Sequence, residues 1–166
     1  MKLRSLALAA GLTLLALPAS AQQIDITASE DFQTKITEDY GDREAEYLRS
    51  SLNKAVEDAF AQKGVSPDHV VLTIEDAKPT HPTLKQASDK PGLDMFRSVS
   101  LGGAKVTGVA YDANDAEIGR LEYKWYESDL RYSFGKSTWY DTKRAFRLFA
   151  TRFADTVAEA QPASAS

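Results

Sequence analysis

Alternation and periodicity divide the chain into a small set of elements. Residues 24–27 (IDIT) alternate apolar and polar positions and predict a short strand. The segment 30–40 is polar and ambiguous between helix and loop. Over 43–63, Leu48, Leu52, Ala55, Val56, Ala59 and Phe60 recur at spacings of three and four, so a helix with one apolar face is expected. Asp42 is its expected N-cap and Gly64 its stop. Residues 70–75 (VVLTIE) are rich in β-branched side chains and predict a second strand.

The clearest pairing comes later. Residues 104–111 (AKVTGVAY) and 117–126 (EIGRLEYKWY) flank the turn cluster DANDA, which predicts a β-hairpin. In its second strand Leu121, Tyr123 and Trp125 share one face, and Arg120, Glu122 and Lys124 the other. That period of two belongs to a sheet with one buried and one wet face. A last helix places Trp139, Phe146, Phe149, Phe153 and Val157 on one stripe, with Arg144, Arg147 and Arg152 mainly outside it. Thr138 and Asp141, three apart, suggest a capping box at its start.

Between 76 and 103 no pattern holds, because Pro79, Pro82, Pro91, Gly92, Gly102 and Gly103 interrupt it. Irregular loops of this length in a small domain are functional or disordered. A strand fragment at 98–101 is expected within it. The order of elements implies one α+β domain over 22–160: a small, mainly antiparallel sheet of three to five strands with two helices packed on one face. Leu48, Leu52, Val56 and Phe60 should meet Phe146, Phe149 and Phe153, with Leu121, Tyr123 and Trp125 facing them.

Composition adds a destination. Lys2 and Arg4 precede an apolar run at 6–17, then Pro18 and the small-residue pattern Ala19-Ser20-Ala21. Residues 1–21 read as a signal peptide cleaved after Ala21, and 161–166 (QPASAS) as a disordered tail. The chain has no cysteine. It therefore cannot carry the lipid of a lipoprotein or a disulfide, and its stability must come from an ordinary core. With Lys2 and Arg4 taken from the 20 Lys and Arg, 18 stand against 24 Asp and Glu, a net charge of −6. A cationic footprint for nucleic acid is absent. No second long apolar segment follows, so an exported, soluble protein is expected, periplasmic or secreted, without a transmembrane segment.

Candidate chemistry is sparse. The two histidines, His69 and His81, lie twelve residues apart, which is not zinc-site spacing on a helix. No serine sits in a G-x-S-x-G setting, so no nucleophile triad is expected. The acidic turn at 112–117 lacks the glycine and bidentate glutamate of a calcium loop. Glu127 and Asp129 stand beside Trp125 and Tyr126, yet carboxylates at i and i+2 are not opposed across a scissile bond. Catalytic residues, metals and cofactors are accordingly not expected. Both tryptophans and four of the seven tyrosines fall in 123–141 (YKWYESDLRYSFGKSTWYD). Tyr123, Trp125 and Trp139 belong to the core by periodicity, whereas Tyr126, Arg131, Tyr132 and Phe134 have no periodic claim on it. Tyr126, Arg131 and Tyr132, with Trp139, are the candidate ligand-binding residues.

The pieces VVLTIEDAKPTHPT and SLGGAKVTGVAYDANDAEIGRLEYKWYE, followed by an aromatic-rich helix, resemble a family of bacterial exported envelope proteins with a domain of unknown function. Pro79 to Thr83 match its P-T loop, Gly102 to Ala104 its Gly-Gly-Ala strand start, and Asp112, Ile118 and Gly119 its hairpin. The hairpin's usual turn glycine is replaced around Asn114 and Asp115. The group is distantly similar to the α+β domain of envelope-assembly lipoproteins, of the curli-secretion and penicillin-binding-protein-activator types, from which this chain departs by lacking the lipidated cysteine. The resemblance implies an α+β fold and brings no catalytic residue. The expected function is that of an exported, non-enzymatic envelope protein that binds a partner protein or envelope component. Its contact regions would be the loop between Pro79 and Gly103 and the aromatic segment. The alternative is a periplasmic carrier of a small ligand or glycan.

Overall fold

The structure, a computed structural model, describes residues 23–160; the expected signal peptide at 1–21 and tail at 161–166 lie outside the described residues. Four strands are present: β1 (Gln23–Ala28), β2 (His69–Lys78), β3 (Gly103–Tyr111) and β4 (Glu117–Tyr126). The helices are α1 (Glu30–Lys35), α2 (Asp42–Lys63), α3 (Leu84–Asp89) and α4 (Tyr140–Ala160). A π-helical turn (Ile36–Tyr40) joins α1 to α2, and a 3-10 turn (Leu130–Tyr132) follows β4.

The strands lie in chain order, β1-β2-β3-β4. β1 runs parallel to β2, and the other two pairs are antiparallel. A parallel pair needs a crossover, which α1 and α2 supply between β1 and β2. The antiparallel pairs need none, and Asp112 closes the β3–β4 hairpin by accepting the N–H groups of Asn114 and Ala116. The sheet is thus mainly antiparallel with four strands, an α+β fold as expected.

Period two in the strands gives the sheet two different faces. Val70, Leu72, Ile74, Ala104, Val106, Ala110 and Tyr123 are buried against the helices. The opposite face carries Thr27, Thr73, Thr107 and Glu122 in register, and Lys105 pairs with Glu122 at 2.8 Å. α2 contributes Leu48, Leu52, Val56 and Phe60, and α4 contributes Phe146, Phe149, Phe153 and Val157, all within 1% of complete burial. Phe149 stacks on Phe153 at 5.3 Å, and Phe153 meets Phe60 at 5.6 Å. β3 admits these rings because it has Gly108: a Cβ there would stand 2.7 Å from Phe149 and 3.0 Å from Leu72.

Several local expectations are corrected. The polar stretch 30–40 is helical, because Ser29 caps α1 and Phe32, Ile36 and Tyr40, spaced by four, all turn inward. Asp42 opens α2 from inside the helix rather than capping it; Gly41 precedes it with no side-chain cap. Gly64 ends α2 in the left-handed conformation at φ 71°, as the sequence suggests. No strand forms at 98–101. The capping box forms at Thr83 and Gln86, where it opens α3, and not at Thr138 and Asp141. The Asp141 carboxylate instead accepts the Thr80 hydroxyl at 2.9 Å, which draws it off the helix end.

Candidate functional site

One end of the sheet is built by two connections: 79–102, between β2 and β3, and 127–139, between β4 and α4. The sequence Pro79-Thr80-His81-Pro82-Thr83 holds them together. Pro79 and Pro82 deny this run regular structure, so its backbone and side-chain groups bond outward to other segments. Thr80 is fully buried. Its N–H donates to Thr138 O at 2.7 Å, and its carbonyl accepts from Ser100 N at 2.8 Å. Thr83 reaches Asp39 O at 3.3 Å. Nearby, Thr142 donates within range of both Lys78 O (2.9 Å) and Gly103 O (3.1 Å).

His81 joins the two connections directly. Its ring is 5% exposed, with Nδ1 2.9 Å from Ser98 O and Nε2 3.2 Å from Ser133 O. Carbonyl oxygens only accept, so whichever ring nitrogen carries a proton donates to the carbonyl it faces. Ser133 itself is fully buried, and its hydroxyl finds no hydrogen-bond partner among the described residues.

What this frame displays is apolar. Nine large apolar or aromatic side chains are exposed among the described residues, and seven of them sit on the two connections. Leu84, Leu93, Met95 and Phe96 belong to the first; Leu130, Tyr132 and Phe134 belong to the second. Phe96 is 87% exposed, Tyr132 63% and Phe134 61%, values unlike those of any core phenylalanine. Polar turns hold the segments in shape. Asp94 accepts from Phe96 N and Arg97 N at 2.8 Å each, which keeps its carboxyl below the usual range. Asp129 is held low likewise, first by the Arg131 guanidinium and then by the Arg131 N–H.

Beside the second connection lies an open recess of about 370 Å³ between the end of β4 and the start of α4. Trp125, Tyr132 and Tyr140 give it aromatic walls, and Glu127, Lys136, Asp141 and Arg144 give it charge. Arg144 lies over the Trp125 ring at 4.7 Å, and Lys136 over the Tyr140 ring at 4.3 Å.

The structure separates the four candidate binding residues. Tyr132 lines the recess. Arg131 does not; it is turned back to clamp Asp129. Tyr126 donates its hydroxyl to Asp76 of β2, and burial first, then that hydrogen bond, raises its phenol far above the ordinary range. Trp139 is 3% exposed, gives its indole N–H to Glu44 and meets Tyr40 edge-on at 5.2 Å. Sequence reasoning missed Asp141, Arg144 and Lys136 as recess residues. They fall outside the apolar stripe of α4 and its approach, where charged side chains are ordinarily read as solvated.

Among the described residues no helix is long and apolar enough to cross a membrane, and no group of three or more acidic or histidine side chains is placed to hold a metal ion. Compared with protein-family models, curated proteins and solved structures, the chain matches none.

Proposed function

We propose that this is an exported, non-enzymatic envelope protein that binds a partner protein through the end of its sheet formed by the two connections. The observation that carries this reading is the gathering of seven of nine exposed large apolar side chains onto that end. Contiguous exposed apolar surface is uncommon on free-standing domains and marks interaction sites. Aromatic anchors contribute most of the binding energy at such contacts, and Phe96, Tyr132 and Phe134 are of that kind. Export is supported by the signal-peptide pattern at 1–21. A binder rather than an enzyme is favoured because the histidines have structural partners: His81 faces two carbonyls, and His69 bonds Asp25 at 2.9 Å.

A protein partner suits this end better than a bilayer. The mature net charge of −6 opposes an anionic membrane surface. The test is a photo-crosslinking residue placed at Phe96 and, as a control, at Thr107 on the open sheet face, expressed in the native envelope. The partner captured from position 96 is then purified and titrated against the protein. Its affinity should fall by at least about tenfold in Phe96→Ala or Phe134→Ala. Equal capture from both positions, or affinity untouched by both substitutions, would sink the reading.

A further inference from the structure

The recess beside β4 holds charges of both signs that are only partly paired within the protein. Asp141 is 1% exposed, and Thr80 bonds its Oδ2 at 2.9 Å. Among the described residues its Oδ1 has no hydrogen-bond partner, and no Lys or Arg stands within 4.0 Å of it. The first turn of α4 gives this carboxylate some support through the helix dipole. A buried carboxylate is nevertheless ordinarily paired. Across the same recess, Lys136 makes neither an ion pair nor a hydrogen bond within the described residues. Arg144 stands 3.6 Å from Glu127, too far for a hydrogen bond. Aromatic stacking on Trp125 and Tyr140 positions both cations, and Arg144 keeps N–H donors beyond its single loose contact with Glu127. Glu127 uses its Oε1 to accept the N–H groups of Ser128 and Asp129, while its Oε2 faces Arg144.

We propose that this recess binds an α-amino acid with an apolar side chain, in its zwitterionic form. Arg144 and Lys136 take the carboxylate, with Arg144 suited to two-pronged contact. Asp141 takes the ammonium. Tyr132, 63% exposed at the rim, covers the side chain. The volume of about 370 Å³ falls within the usual range for small-molecule sites. A neutral sugar would place no counter-charge against Asp141 or the two cations, whereas a zwitterion supplies both signs at once. The site shares Tyr132 with the proposed docking end, whereas Asp141 and Arg144, which its tests change, belong to α4.

Calorimetric titration of the mature protein tests the assignment. The probes are L-phenylalanine and L-leucine, 3-phenylpropionate (no ammonium), phenethylamine (no carboxylate) and N-acetylglucosamine. At least one of the two amino acids should bind, and each half-analogue should bind about tenfold more weakly or worse than L-phenylalanine. Arg144→Gln should weaken L-phenylalanine and 3-phenylpropionate by about tenfold and leave phenethylamine unchanged. Asp141→Asn should do the reverse. Because Asp141 is also tied to Thr80, Arg144→Gln, at a side chain 49% exposed, carries the test if Asp141→Asn unfolds. Heat from N-acetylglucosamine alone, no heat from either amino acid at millimolar concentration, or an Arg144→Gln protein that binds as the parent does, would each overturn the proposal.

Discussion

Ser133 carries a buried hydroxyl with no hydrogen-bond partner among the described residues, while its backbone carbonyl faces His81. A buried polar group without a partner costs about 1–3 kcal/mol. Ser133→Ala removes that hydroxyl, and its φ of −86° suits alanine. Urea unfolding should therefore show a variant more stable by about 1 kcal/mol; a loss of stability would mean that the hydroxyl is bonded after all. Two tyrosines make a second residue-level prediction. Burial, then the Asp76 and Asp39 charges, raises Tyr40; burial, then the bond and charge of Asp76, raises Tyr126. A raised phenol stabilises the fold in its neutral form. That stability is complete below the unfolded value of about 10 and is lost as pH climbs through the folded value. The contribution of these two residues should thus be constant from neutrality to about pH 10 and then decline. Phenolate absorbance should rise in two stages, the second coinciding with loss of circular dichroism. A single stage completed in the folded protein would contradict it.

At the scale of elements, period decided what could be read beforehand. α2, α4 and the β3–β4 hairpin follow directly from spacings of three, four and two, and so does the burial of Trp139 with Phe146, Phe149 and Phe153. α1 and the π-helical turn were legible too, in Phe32, Ile36 and Tyr40, but eight polar neighbours obscured the spacing of four. The run from Pro79 to Thr83 was not legible. Thr80, His81 and Thr83 are buried by hydrogen bonds to distant segments, which leave no periodic trace. The same holds for the recess, since its charged residues meet only when β4 and α4 are packed. The connection between His81 and the two loops gives a prediction at this scale. His81→Ala leaves Ser98 O and Ser133 O without a donor and opens a small void, costing about 2–3 kcal/mol. Amide exchange should quicken at 94–100 and 130–134 more than in β2 or β3. Uniform quickening would show that the ring serves the core and not the connections.

The whole molecule has two polar sides and one apolar end. Its helices close one face of the sheet, and threonines with paired charges finish the other. The long connections therefore become the place where apolar surface can be displayed without exposing the core. Proline-bounded hydrogen bonding lets that end stay shaped while unpaired, because its backbone groups are satisfied within the protein. A partner should meet it with little rearrangement, as pre-organised surfaces do. The most direct measurement is a hydrogen–deuterium exchange footprint of the protein with its captured partner. Protection should concentrate at 93–100 and 130–134, with β3 and β4 unchanged. Protection on the open sheet face, with the two connections exchanging as in the free protein, would contradict the assignment of the apolar end as the contact surface.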